Sequence, residues 1–195
     1  MPSPLPFRFV TSADSVDRLP PSPAEVAVVG RSNVGKSSLL NAVAGRSALA
    51  KVSKTPGRTQ LLNCFALDGG GTLIDCPGYG YAKTSKSMRH AWAGMIDRYL
   101  LERDCLEMVL VLVDGEIGPT KLDVQMLEWL RAEVLPHTVV ATKVDKVRSS
   151  HRPRRRRDLA AACQLESGDI VWTSAAKGIG LDQLRSMVAL WLGLT

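Results

Sequence analysis

Two kinds of hydrophobic pattern alternate along this chain. Apolar runs at 25–29, 106–113, 138–142 and 170–173 have no helical period and read as buried strands. The segments 60–67 and 72–75 flank the turn Asp68-Gly69-Gly70-Gly71, which predicts a β-hairpin. Helical spacing fills the intervals. One helix is expected at 37–44, and another at 87–102 with Met88, Trp92, Met95, Ile96 and Tyr99 on one face. At 121–134, Leu122, Met126 and Leu130 form a stripe, Thr120 is positioned to cap, and Asp123 follows three residues on. A basic helix is expected at 154–163 and a last one at 181–192, striped by Leu181, Leu184, Val188 and Trp191. These stripes read as core packing. Residues 1–23 hold six prolines and little periodicity, so they predict an extended arm with an edge strand at 7–11. The polar stretch 51–58, rich in Lys, Thr and Gly, reads as a mobile loop.

Alternating strands and helices predict an α/β fold of three α/β/α layers. Its sheet is mostly parallel, with one antiparallel strand contributed by the hairpin. After the arm, 24–195 reads as a single domain without internal repeats. In such sheets ligands bind beyond the carboxyl ends of the strands, so the loops that follow strands should carry the chemistry.

Composition narrows the class. With 195 residues, 45% apolar and 23% charged, the chain can bury one sizeable core and is not a disordered polymer. No apolar stretch approaches the roughly 20 residues needed to span a bilayer, and the start lacks a basic segment followed by an apolar run. A cytoplasmic protein that uses no membrane is expected. The widely spaced Cys64, Cys76, Cys105 and Cys163 form no C-x-x-C pair and read as reduced thiols, while the three histidines stand apart from one another. The formal charge of +6 is localised: Lys146, Arg148, Arg152, Arg154, Arg155, Arg156 and Arg157 lie within twelve residues that contain no acid. Without them, 18 basic residues face 19 acidic ones. Such a block points to RNA or another polyanion; a solvated loop and helix face is the plainer alternative.

Gly30-Arg31-Ser32-Asn33-Val34-Gly35-Lys36-Ser37 fits G-x-x-x-x-G-K-[ST] between a predicted strand and a predicted helix. Glycines in such a loop let backbone N–H groups converge on phosphate, and the helix N-terminus adds positive potential. Lys36 would meet the terminal phosphates and the Ser37 hydroxyl would ligate Mg²⁺. Asp75-Cys76-Pro77-Gly78 ends another strand; Asp75 could hold Mg²⁺ through water, and the Gly78 N–H could sense a γ-phosphate. Thr142-Lys143-Val144-Asp145 follows a third strand. A carboxylate at Asp145 could accept from both N1–H and the 2-amino group of guanine, a donor pair adenine lacks, while the Lys143 stem packs on the base. Backbone around Thr173, Ser174 and Ala175, after the next strand, could contact the guanine O6. Each string alone is an ordinary turn; their order, each after a strand, points to GTP and GDP.

With these strings the chain resembles the EngB (YihA or YsxC) ribosome-biogenesis GTPases of the translation-factor-related P-loop class. The resemblance covers about residues 7–192 and is most specific at 30–38 (GRSNVGKSS), 53–60 (SKTPGRTQ) and 75–81 (DCPGYGY). It implies a P-loop NTPase fold with six or seven strands, GTP hydrolysis, and binding to the large ribosomal subunit precursor and its rRNA. It further implies a tie to cell division and septation, with no DNA partner and a monomeric chain. It assigns Thr59 to Mg²⁺ and the γ-phosphate, and places Gly57, Arg58, Gln60 and Leu61 at the nucleotide. Lys51, Lys54 and Arg58 would face RNA, phosphate or both. Thr142 stands where most GTPases carry an Asn that braces the phosphate loop, so a weaker brace is expected. Asn33 is a candidate K⁺ ligand, as in related GTPases with Asn there; a loop-bracing hydrogen bond is its other reading.

A Ras-like enzyme has a water-orienting glutamine directly after D-x-x-G, and this chain has Tyr79. A phenol does not replace that amide, so slow intrinsic hydrolysis is expected, with Lys36 and Thr59 as catalytic groups and the missing element supplied by a partner or a cation. Arg58 or Gln60 swinging in is a further candidate. Two rivals remain at this level: a small-molecule kinase whose lid is Arg154, Arg155, Arg156 and Arg157, and an RNA-binding protein with a vestigial nucleotide loop. Asp75, Gly78 and Asp145 are unexplained by the first, and Lys36 with Ser37 by the second.

Overall fold

The computed structural model describes residues 3–50, 61–79 and 86–194, with 86–93 as backbone only. Seven strands form one sheet: β1 (Arg8–Ala13), β2 (Glu25–Gly30), β3 (Leu62–Ala66), β4 (Thr72–Asp75), β5 (Leu106–Asp114), β6 (His137–Thr142) and β7 (Val171–Trp172). Their order across the sheet is β1-β3-β4-β2-β5-β6-β7. β3 is antiparallel to both β1 and β4, and the remaining pairs are parallel, so β3 alone runs against the others. The α/β architecture with one reversed hairpin strand is therefore present.

Alternation along β2 explains the three layers. Val26 and Val28 point to one face, where Leu39, Leu40 and Val43 of α1 (Lys36–Ala44) and Leu184 and Val188 of α5 (Leu181–Trp191) cover them. Ala27 and Val29 point to the other, beneath Tyr99 and Leu100 of α2 (Lys86–Glu102), Leu127 and Leu130 of α3 (Lys121–Ala132) and Leu159 of α4 (Arg152–Ala162). Strands buried on both faces read as continuous apolar runs, which is why β2 and β5 show no polar alternation.

Several boundaries differ from the sequence expectation. β1 starts at Arg8 and continues to Ala13, with a register shift between Phe9 and Thr11, and Leu5, Phe7, Val16 and Leu19 of the proline-rich segment are buried. β7 has only two residues, α4 begins two residues early at Arg152, and α3 ends at Ala132. The α3 stripe is rotated: Leu122 is 44% exposed, whereas Asp123, Leu127 and Leu130 are fully buried. Asp123 is inside because Thr120 and Tyr79 supply its donors, which periodicity of apolar residues does not reveal. The expected capping box at Thr120 is present. In α2, Ile96 and Tyr99 are buried and Met95 packs beside them; the side chains of Met88 and Trp92 lie outside the described residues.

All four cysteines are unpaired thiols, three of them buried. Burial, and after it the Glu25 charge for Cys64 and the Asp123 charge for Cys163, pushes both thiols up to about 11, so neither ionises near neutrality. Among the described residues no helix is long and apolar enough to cross a membrane.

Candidate functional site: a nucleotide cradle at the carboxyl edge

The carboxyl ends of β4, β2, β5, β6 and β7 lie along one edge of the sheet, and the loops predicted to hold nucleotide emerge there. Gly30 ends β2 and Gly35 is the N-cap of α1 in the left-handed region at φ 105°, a conformation L side chains rarely adopt. Between them Asn33 is also left-handed, at φ 65°. These turns place Gly35, Lys36 and Ser37 at the amino end of α1, where unbonded N–H groups and the helix dipole favour phosphate.

The segment after β4 packs onto this loop. Arg31 and Tyr79 form a parallel bridge; Ser32 N–H donates to the Tyr79 carbonyl at 3.0 Å and Tyr79 N–H to the Gly30 carbonyl at 3.2 Å. A Cβ on Gly78 would lie 3.1 Å from Ser32 N and Oγ, so a side chain there would need the phosphate loop to give by a few tenths of an ångström. Gly78 thus stands against the phosphate loop, as a γ-phosphate sensor requires. Tyr79 turns its ring away: its hydroxyl donates to Asp123 Oδ1 at 2.7 Å, and burial with the adjacent Asp123 charge holds the phenol far above its usual range. It remains protonated and faces α3 rather than a hydrolytic water.

Lys36 Nζ lies 2.5 Å from Asp75 Oδ1 and donates to the Cys76 carbonyl. The ammonium and the Asp75 carboxylate therefore share the space at the strand ends. Asp75 Oδ1 is buried and receives no aligned hydrogen bond among the described residues. With Lys36 turned to phosphate, this buried carboxylate oxygen would be left to a water of hydrated Mg²⁺, with the half-exposed Ser37 hydroxyl as direct ligand. The present residues fit the metal. Gly57, Arg58, Thr59 and Gln60, as well as Lys51 and Lys54, lie outside the described residues; Leu61 is the first residue described after them and is exposed.

Thr142 does brace the phosphate loop. Its hydroxyl donates to the Val34 carbonyl at 2.6 Å, with the Val113 carbonyl at 3.3 Å, directly tying β6 to the phosphate loop. Lys143, left-handed at φ 55°, adds a second tie: Nζ donates to the Asn33 carbonyl and to Asp114 Oδ2, each at 2.7 Å. The brace from Asn33 thus runs through its carbonyl; its exposed side chain makes no hydrogen bond among the described residues.

Asp114 was missed in the sequence. It is fully buried at the end of β5 and also accepts from the Glu116 and Ile117 amides at 3.0 and 3.2 Å, with Arg31 Nη2 at 3.6 Å. Burial alone would raise its pKa, but the Lys143 hydrogen bond and the two amides outweigh it and hold the carboxyl below its usual value. The signal was an acid directly after an apolar strand, the placement of Asp75. Asp145 sits on a short 3₁₀ turn (Val144–Lys146), half-buried and without a hydrogen-bond or ion-pair partner among the described residues. Val144 N–H donates to the Thr173 carbonyl at 3.2 Å, bringing the Thr173–Ser174–Ala175 backbone beside the Asp145 turn. Ser174 N–H is held by the Ile179 carbonyl at 3.0 Å.

A parallel sheet with this phosphate loop, an acid and glycine facing it, and an unpartnered carboxylate on a neighbouring loop defines a P-loop GTPase. Residues 25–143 match the family described as 50S ribosome-binding GTPase. A probable GTP-binding protein EngB from Pelotomaculum thermopropionicum is 43% identical over 96% of both chains. Its counterpart from Desulforamulus reducens is 46% identical over 92% of this chain and 89% of its own. This chain belongs to the EngB family of GTP-binding proteins: it binds GTP and GDP and hydrolyses GTP. Among solved structures, a probable GTP-binding protein engB shares the fold at TM-score 0.70 and 22% identity, over 85% of this chain and 96% of that one. Era in complex with MgGDPNP and a segment of 16S ribosomal RNA gives TM-score 0.67 at 26% identity, over 87% of this chain and 56% of that one.

Proposed function

We propose that this GTPase is a nucleotide switch in assembly of the large ribosomal subunit in the cytoplasm, acting as a monomer on the precursor particle and its rRNA. Dependence of cell division and septation on it would follow from ribosome supply. What supports the reading is the match over 25–143 to the 50S ribosome-binding family, together with the packing of Gly78 on Ser32. That packing couples the segment after β4 to the phosphate loop, so a γ-phosphate between them would set its position. Bound Mg²⁺ would neutralise charge on the β- and γ-phosphates. Ser37, Asp75 and Thr59 would hold it, and Lys36 would leave Asp75 for phosphate oxygen. The kinase rival would use adenine, which lacks the N1–H and 2-amino donor pair that Asp145 would accept.

Sedimentation with large-subunit precursors should recover more protein with a non-hydrolysable GTP analogue than with GDP; equal recovery in both states removes the switch. Slow turnover belongs to the same reading, because Tyr79 is committed to Asp123 and no amide side chain directly follows Gly78. Intrinsic rates in that class are on the order of 10⁻⁴ to 10⁻² s⁻¹. In this reading Asn33 binds K⁺, so turnover should be faster in potassium than in sodium salts. Identical rates would leave the Asn33 side chain without a catalytic part.

A further inference from the structure

Among the described residues outside 146–157, most basic side chains are neutralised locally. Eight of them lie within 4 Å of a carboxylate, from Arg8 on Asp68 to Arg185 on Asp182. Inside the block only Arg154 does among the described residues, 3.5 Å from Asp158. The turn after β6 and the start of α4 form, with the loop after β5, an open surface cavity of about 470 Å³. Lys146, Arg148, Arg154 and Arg155 supply four positive charges to its walls, and Glu116 and Asp158 two negative ones. Arg155 is anchored by donating to the Ile117 carbonyl at 3.2 Å, which fixes one wall. Arg152, Arg156 and Arg157 carry the positive surface onward along the first turns of α4, a rise of about 8 Å over its first six residues.

We propose that this cavity seats the phosphodiester backbone of an RNA strand. The proposal deepens the ribosome-assembly reading and rests on it. Charge carries it toward a polyanion: the net positive lining lies within the chain's basic excess. Shape carries it past a single ion, since the volume far exceeds one phosphate and the charge continues along α4. Lining chemistry separates RNA from an acidic protein surface. Protein interfaces bury a core rich in aromatic and apolar anchors, and here Val147 is the only apolar wall residue among the described residues. A phosphate backbone asks for charge and donors alone. Because Lys146 directly follows Asp145, the RNA seat adjoins the base-reading turn.

The test is anisotropy of a labelled 20-nucleotide oligoribonucleotide on the full chain across a salt series. Replacing Arg148, Arg154 and Arg155 together by Ala should lower the slope of log K against log salt by about 2, at about 0.7 per phosphate lost. Replacing Arg8, Arg18 and Arg98 by Ala removes equal charge elsewhere and should leave the slope unchanged. Glu116→Gln should tighten RNA binding severalfold, an effect misfolding does not mimic. GTP affinity should hold in all three. The cavity assignment is overturned if the parent chain does not bind the oligonucleotide, if the two triple variants weaken it alike, or if Glu116→Gln does not tighten it. Polyglutamate competing as well as RNA at matched charge also overturns it, in favour of an acidic protein partner. Failure here with nucleotide-dependent sedimentation intact removes the cavity alone; loss of that sedimentation in the parent chain removes the ribosome reading.

Discussion

Asp145→Asn is expected to turn this GTPase into a xanthosine-nucleotide binder. Guanine presents two donors, N1–H and the 2-amino group, and a carboxylate accepts both. An amide at the same place offers one acceptor and one donor, so one guanine N–H meets an N–H. Each hydrogen bond to a charged group is worth about 1.5–3 kcal/mol, and an unpaired buried donor adds its desolvation cost. GTP affinity should therefore fall by about 100-fold or more. Xanthine carries a carbonyl in place of the 2-amino group, and the Asn donor satisfies it, so the xanthosine nucleotide should gain most of what guanosine loses. The parent structure favours a clean result. Asp145 has no partner among the described residues, so the substitution breaks no internal contact, and Lys143, Thr142 and Asp114 keep the loop in place. Titration calorimetry with both nucleotides decides it. Unchanged GTP affinity, or ATP bound by the parent chain as tightly as GTP, would sink the assignment of this carboxylate.

The phosphate loop and the turn that carries Asp145 were legible because short-range strings encode them. Gly30, Gly35, Lys36 and Ser37 sit at fixed spacing, and their strand-loop-helix setting follows from the change of hydrophobic period on either side. What joins these strings was not legible. Asp114 lies 29 positions from Lys143, and Tyr79 lies 44 from Asp123. Those pairs meet only when β5 is laid beside β6 and the segment after β4 reaches α3, and no local pattern records that. The same cause misplaced the α3 stripe. An aspartate looks solvent-facing in a hydrophobic pattern, yet Asp123 is buried by two capping donors and a tyrosine from another segment. Thr142 is another such long-range tie: its hydroxyl lies 2.6 Å from the Val34 carbonyl, 108 positions away.

Arg103→Ala is expected to cost about 3–5 kcal/mol of folding stability, more than any substitution in the nucleotide loops. Glu25 opens β2 with no solvent exposure and receives four donors: Thr72 Oγ1 at 2.6 Å, the Tyr99 hydroxyl at 2.9 Å, and Arg103 Nε and Nη2 at 3.0 and 3.1 Å. Arg103 Nη2 also reaches the Pro20 carbonyl at 2.5 Å, so one guanidinium joins β2, α2 and the proline-rich segment. Truncating it leaves two hydroxyls on a buried anion with no opposing charge, the case in which breaking an ion pair is most costly. At about 2–4 °C per kcal/mol for a domain of this size, the melting temperature should drop by roughly 10 °C. Replacing both partners, Glu25→Gln with Arg103→Met, should recover part of the loss, since the uncompensated charge is removed while the Gln carbonyl oxygen still accepts from the Thr72 or Tyr99 hydroxyl. β2 runs about 17 Å from Glu25 to Gly30, so what survives folded should bind GDP as the parent does. Thermal melts of the single and double variants, read with nucleotide titration, check each part. A single-variant loss under 1 kcal/mol would mean that water reaches Glu25, and a double variant no better than the single would place the cost in packing instead of charge.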